Sequence, residues 1–109
     1  MVDQSIVEVV KKYLWEVVQS GIPVTHGVIF GSRVTGHADQ WSDIDLSVVS
    51  PRFDAQHTFE DARLLWRLAA RTDNRIEPIP VGVRQFAEDD SSAIIEIARR
   101  TGQIIPLAG

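Results

Sequence analysis

Two apolar runs joined by a loop with paired aspartates constrain the fold of this chain more than any other feature. The runs cover residues 28–30 and 44–49 and are rich in β-branched side chains, which predicts two strands. Because side chains alternate along a strand, Asp43 and Asp45 are expected to point to the same face. Neighbouring carboxylates repel each other unless a cation lies between them. Hard oxygen ligands in a pair suit Mg²⁺, so this segment predicts a magnesium site.

Glycine and serine at the end of the first run supply a second part of the same site. Gly31 has no Cβ, so the backbone can approach a ligand closely there. If a short helix begins near Ser32, its free N–H groups favour a phosphate, and Ser32 Oγ adds a donor. Gly36 is expected to close this turn. Beside the aspartates, the pattern predicts a metal–triphosphate site that needs a further carboxylate to hold two metal ions.

The order of these motifs, GSRVTG and then SDIDLSVV, resembles the signature of the polymerase-β-type nucleotidyltransferase superfamily. The small size of the chain is similar to that of the minimal nucleotidyltransferase branch. This resemblance extends over nearly the whole chain. It implies that Gly31 and Ser32 hold the nucleotide phosphates and that Asp43 and Asp45 bind the metals. It also implies two Mg²⁺ ions as cofactors and ATP as the substrate.

Two residues close to the motifs, Arg33 and Ser42, add to the candidate site, and Trp41 lies next to Ser42 in sequence. Arg33 is included among the nucleotide-binding residues, although it either neutralises triphosphate charge or is simply exposed. Ser42 is included as well, and its hydroxyl is expected to cap the turn before Asp43. Trp41 either stacks on a base or packs under the loop, and packing is the favoured interpretation.

The resemblance assigns the third acidic position of the family to Glu77. Many members of the family have aspartate there, so either the longer side chain still reaches the metal or catalysis is weakened. We therefore predict that Asp43, Asp45 and Glu77 are the catalytic and metal-binding residues. A strand–helix–strand path predicts a parallel, right-handed crossover, which would make Asp45 and Glu77 neighbours. Pro78 and Pro80 predict that this third strand either lies at a sheet edge or contains a bulge.

Helices are expected on both sides of these strands. Apolar side chains recur at helical spacing in residues 5–20, and Thr58 is a cap for a second helix with an outer stripe of arginines. Residues 53–57 are expected to form a loop, and acidic residues 88–90 to lie near the start of a C-terminal helix. The fold class is α/β (α+β), with a small mixed β-sheet flanked by helices in a polymerase-β-like fold. With 109 residues, the prediction is one nucleotidyltransferase domain, 1–109.

Composition excludes several other classes of protein. The chain has no cysteine, which excludes disulfides and cysteine-based zinc sites. No apolar stretch approaches the roughly 18 residues of a membrane span, and no signal-peptide core is present, so we expect a cytoplasmic protein that does not bind membranes. A net charge of −4 argues against nucleic acid as a direct ligand.

The resemblance implies an enzyme that transfers AMP from ATP to a hydroxyl and releases pyrophosphate. Many minimal nucleotidyltransferases act as antitoxins beside a helical HEPN-type ribonuclease, which implies a toxin partner and a tyrosine acceptor. One alternative is a catalytically weak binding module that neutralises its partner by complex formation. Another is a small-molecule nucleotidyltransferase of the aminoglycoside-modifying kind, with a pocket completed in a homo-oligomer. The sequence leaves the base preference, the acceptor and the oligomeric state open.

Overall fold

The computed structural model describes residues 2–55 and 58–107. Its strands are β1 His26–Phe30, β2 Ile44–Val49, β3 Ile76–Val81 and β4 Gln103–Pro106. Its helices are α1 Gln4–Gln19, α2 Ser32–Thr35, α3 Arg52–Ala55, α4 Phe59–Thr72, α5 Val83–Glu88 and α6 Ala93–Thr101. Within these residues, no helix is long and apolar enough to span a bilayer.

The four strands form one mixed sheet in the order β3-β2-β1-β4. Strand β1 is antiparallel to both β2 and β4, whereas β2 and β3 are parallel and joined through α4. Strand β3, which contains Pro78 and Pro80, lies at an edge, as the missing N–H donors of proline predict. A small mixed sheet flanked by helices confirms the predicted fold class.

Both faces of the sheet are covered, because the strands bury side chains on alternating faces. On one face, Leu46 packs in a cluster with residues of α1 and α4 such as Leu14 and Leu65. On the other, Val28 and Ile95 belong to a second buried cluster that includes residues of α6. The two clusters thus hold the sheet between helices on both of its faces.

The structure corrects the prediction of a loop at residues 53–57. Residues Arg52–Ala55 form α3, and residues 56 and 57 lie outside the described part of the chain. Arg52 donates from Nε and Nη2 to the carboxylate of Asp61 on α4, over 3.1 and 3.0 Å. Asp54 accepts from the backbone N–H of Arg84 at the start of α5, over 2.9 Å. These contacts with distant segments stabilise a turn of helix that local sequence does not reveal.

The acidic residues 88–90 also lie elsewhere than predicted. Glu88 ends α5, a helix that the sequence did not predict, and Asp89 follows it. Helix α6 begins later, after Ser92, whose hydroxyl accepts from the N–H of Ile95. Serine is a common N-cap because its oxygen satisfies a free helical N–H. In contrast, the predicted cap of α4 is confirmed, since Thr58 accepts from the N–H of Asp61.

The buried hydroxyl of Tyr13 joins helix α1 to helix α4. Tyr13 is fully buried, and its hydroxyl donates to the carbonyl oxygen of Leu65 over 2.9 Å. Burial raises the pKa of the Tyr13 phenol, which therefore stays protonated and donates. We expect Tyr13→Phe to lower the free energy of unfolding by about 1 kcal/mol in a urea titration. Trp15→Phe, on the exposed side of the same helix, should change it by less than about 0.5 kcal/mol. Equal effects would contradict this assignment.

Candidate active site

Glycine and carboxylate residues from three strands meet at one end of the sheet. Gly31 follows the last residue of β1, and Asp43 precedes the first residue of β2. Within the sheet, Phe30 is paired with Asp45, and Asp45 is paired with Glu77. The parallel pairing of β2 and β3 therefore brings Glu77 beside Asp45, as the crossover predicts. Asp43 is exposed, whereas Asp45 and Glu77 are partly buried.

Gly31 is required by both its backbone and its surroundings. Its φ of +79° and ψ of −148° belong to a region that only glycine adopts readily. A Cβ at this position would overlap Oδ2 of Asp45, so the missing side chain leaves room for the carboxylate. Ser32 then begins the short helix α2, and Gly36 ends it with a φ of +86°. The expected turn after β1 is therefore present, and its glycine lies against one of the candidate metal ligands.

The third carboxylate is influenced by the other two. Burial raises the pKa of Glu77, and hydrogen bonding with Asp45 and the negative charge of Asp43 raise it further. These effects require the Glu77 carboxyl to lie close to both aspartates. A nearby cation would relieve the repulsion between them. The chemistry of the three oxygen donors fits a hard divalent cation such as Mg²⁺.

The carboxylates do not enclose a complete metal site. In residues 2–55 and 58–107, no group of three histidine, cysteine, aspartate or glutamate residues is arranged to hold a metal ion. Mg²⁺ commonly takes one or two carboxylates from a protein and its other ligands from substrate phosphates and water. The cluster of Asp43, Asp45 and Glu77 matches that division of ligands.

Arg33 links the short helix to the loop before β2. Its Nη2 donates to the carbonyl oxygen of Ser42 over 2.7 Å. The buried Nε atom has no hydrogen-bond partner among the described residues. Ser42 Oγ accepts from the N–H of Asp39 over 2.9 Å, so the hydroxyl caps the turn as predicted. Of the four predicted nucleotide-binding residues, Arg33 therefore joins α2 to the loop, and Ser42 shapes the loop.

Trp41 lies on this loop, and the prediction that it packs underneath is wrong. Its side chain is 78% exposed. Its backbone N–H donates to Asp39 Oδ1 over 2.8 Å, which turns the chain and leaves the indole outside. Aspartate and serine are both common turn residues. The presence of Asp39 close to Ser42 is therefore the feature from which this outcome could have been inferred.

Sequence reasoning also missed the role of Arg75. Nη1 of Arg75 donates to the carbonyl oxygen of Gln40 over 3.0 Å and so joins the loop to the start of β3. Nη2 of Arg75 pairs with Asp73 over 2.7 Å. Hydrogen bonding from Arg75 is the main cause that lowers the pKa of Asp73. Only the parallel crossover brings residues 40 and 75 together, so the contact has no local signal.

Comparison with known protein families shows the family of this chain. The family model described as "Nucleotidyltransferase domain" matches residues 11–102, which include all of the candidate site residues. The chain belongs to this nucleotidyltransferase family. A nucleotidyltransferase role follows, and the family relies on a nucleoside triphosphate and a divalent metal. Comparison with curated proteins gives no match.

Solved structures share the fold of this nucleotidyltransferase domain. A Sulfolobus solfataricus protein, provisionally described as a nucleotidyltransferase, is 19% identical with a TM-score of 0.62, covering 90% of this chain and 77% of its own. A toxin-antitoxin structure with AMP-PNP is 18% identical with a TM-score of 0.58, covering 87% of this chain and 71% of its own. At such identities the similarity concerns the fold.

Gly31 offers a test of the contact with Asp45. Gly31→Ala should lower the free energy of unfolding by roughly 3 kcal/mol, because it combines a disfavoured backbone conformation with a clash against the carboxylate. Gly36→Ala is the matched control, since its φ is also positive but a Cβ there would meet nothing within 4 Å. That control should lose only about 1 kcal/mol. Equal losses in chemical denaturation would show that the contact with Asp45 contributes nothing.

Proposed function

We propose that this nucleotidyltransferase transfers AMP from ATP to a tyrosine hydroxyl of a HEPN-type toxin and thereby acts as its antitoxin. The observation that carries the proposal is the convergence of Asp43, Asp45 and Glu77 beside the glycine turn at Gly31. It combines oxygen ligands for a metal with backbone that can approach a phosphate closely.

Asp43 and Asp45 are the proposed ligands of two Mg²⁺ ions, with Glu77 completing the set on the side of the acceptor. Bound Mg²⁺ would lower the pKa of the acceptor hydroxyl and balance the charge on the leaving pyrophosphate. Because the three carboxylates do not enclose an ion by themselves, the triphosphate supplies the remaining ligands in this proposal. Metal and nucleotide should therefore bind together.

The turn after β1 is the proposed triphosphate site. Gly31 brings the backbone close, and Ser32 adds a hydroxyl at the start of α2. Arg33 contributes a guanidinium that Ser42 holds next to this turn, and its positive charge supports a role with phosphate oxygens. Ser42 acts indirectly, because its carbonyl oxygen holds Arg33 and its hydroxyl shapes the loop before Asp43.

A protein acceptor is supported by two observations. The structural neighbour with AMP-PNP is a toxin-antitoxin structure, which connects this fold with a partner protein. The outer side of α4 also carries exposed aromatic rings, with Phe59 at 77% and Trp66 at 50% exposure. The guanidinium of Arg63 lies 5.8 Å from the ring centre of Phe59. Aromatic and arginine side chains of this kind are enriched in protein interfaces.

A catalytically weak binding module is the second candidate. Glutamate at position 77, where the resemblance implies aspartate in many members, favours weak catalysis. In that case the same protein would neutralise its partner through complex formation alone. The two candidates differ in whether the partner is covalently modified.

The metal and nucleotide proposal predicts a binding defect in Asp43→Asn. We expect Mg-AMP-PNP to bind the unaltered protein, and its affinity to fall at least about tenfold in the variant, since a proposed metal ligand is lost. Asp90→Asn removes the same charge from an exposed position and should bind as the unaltered protein does. Isothermal titration calorimetry, with and without EDTA, makes the measurement. Unchanged affinity in Asp43→Asn would exclude Asp43 as a ligand.

Intact mass spectrometry separates the two candidate functions. The antitoxin and its HEPN-type toxin are incubated with Mg-ATP, and the toxin should gain the mass of about one or more AMP groups, as metal-dependent phosphoryl transfer requires. The gain should vanish with Asp45→Asn and remain with Asp90→Asn. Neutralisation of the toxin without a change in mass would favour the binding module. Absence of both association and reaction would refute the antitoxin role.

A further inference from the structure

A cavity lies beside the carboxylates, on the side of the sheet edge formed by β3. Its volume is about 710 Å³, and its lining consists of Gln40, Trp41, Asp43, Asp73, Asn74 and Arg75. It therefore shares Asp43 with the candidate active site. None of the nucleotide-binding residues proposed above lines it, so it is separate from the triphosphate turn.

Strand order gives this cavity a definite position relative to the phosphates. Since the order is β3-β2-β1, the start of β2 lies between the end of β1 and the start of β3. Gly31 marks the end of β1, Asp43 the start of β2, and the Asp73–Arg75 pair the start of β3. The triphosphate turn and the cavity thus lie on opposite sides of the paired aspartates.

The geometry of in-line displacement indicates what the cavity binds. In phosphoryl transfer, the attacking and leaving oxygens lie roughly in line on opposite sides of the reacting phosphorus. If the pyrophosphate leaves on the side of Gly31, the acceptor must approach from the side of β3. The cavity next to Asp43 opens on that side.

We propose that this cavity is the acceptor site and that the indole of Trp41 stacks on the aromatic ring of the acceptor tyrosine. The inference rests on the proposed function. It specifies where the molecule that accepts AMP binds and why a phenol is preferred to an aliphatic hydroxyl. Aromatic rings gain free energy from offset or edge-to-face packing beyond the apolar area that they bury. A serine or threonine acceptor would lack this contact.

Trp41 is held ready for such a contact. Its side chain is 78% exposed, but the backbone around it is fixed by hydrogen bonds from both sides. Asp39 accepts from the N–H of Trp41 over 2.8 Å, and Arg75 donates to the carbonyl of Gln40 over 3.0 Å. Because the loop is already fixed, little backbone entropy is lost when a ligand stacks on this ring.

The transfer step at this site balances without a further reactant. The tyrosine phenolic oxygen forms a bond to the α-phosphorus of ATP, and the bond from that phosphorus to the α–β bridging oxygen breaks. Pyrophosphate leaves on the side of Gly31, and the phenolic proton is released to water. The product is a phosphodiester between tyrosine and AMP.

Kinetics with small acceptors test the role of Trp41. N-acetyl-tyrosinamide and N-acetyl-serinamide are the probes, with Mg-ATP as donor. We expect tyrosinamide to be the better acceptor, and Trp41→Ala to raise its KM about tenfold with little change in kcat, as loss of an aromatic pair predicts. Trp41→Phe should keep most of the affinity, because it retains a ring. Trp15→Ala, which removes another exposed tryptophan on α1, should have no effect.

Binding of Mg-AMP-PNP to Trp41→Ala distinguishes failure of this inference from failure of the proposed function. The affinity should equal that of the unaltered protein. A tenfold loss would assign Trp41 to the nucleobase and overturn the acceptor site, while nucleotide binding itself would stand. Unchanged KM in Trp41→Ala, equal use of serinamide, or no modification of tyrosinamide would also overturn it. If the unaltered protein does not bind Mg-AMP-PNP, the proposed function fails, and this inference fails with it.

Discussion

Repulsion among carboxylates at one end of the sheet is the constraint on which the site depends. Parallel pairing of β2 and β3 sets Glu77 beside Asp45, and the loop before β2 adds Asp43. The packed helices on both faces hold the strands in this register, so the acidic side chains cannot move apart freely. Stability gained elsewhere in the fold thus maintains a local arrangement of like charges that is unfavourable by itself.

The strand order sets the arrangement of the candidate site across the sheet, from β1 through β2 to β3. The glycine turn lies at the end of β1, the carboxylates occupy the middle, and the cavity with Trp41 lies towards β3. Arg33 and Arg75 each donate to a carbonyl oxygen of the loop between β1 and β2, from opposite sides. The loop is therefore positioned by both neighbouring segments, which is why a short stretch of irregular backbone can present side chains accurately.

Local sequence was informative where the determining interactions are local. The glycine turn and the Thr58 cap follow from preferences of single residues, and the prolines of β3 restricted it to an edge or a bulge. The pairing of Asp45 with Glu77 follows from a parallel crossover. Helices α3 and α5 were missed because Asp54 joins them across 30 positions. Trp41 was misplaced because apolar character suggested packing, whereas the Asp39 turn directs the ring outwards.

The prolines of the sheet have a consequence for its behaviour at high concentration. Strand β3 forms one edge and contains Pro78 and Pro80, and β4 forms the other and ends with Pro106. A strand from a second molecule would find missing N–H donors at both edges, so the sheet is a poor template for continuation into a larger one. Edge-to-edge aggregation is thereby discouraged.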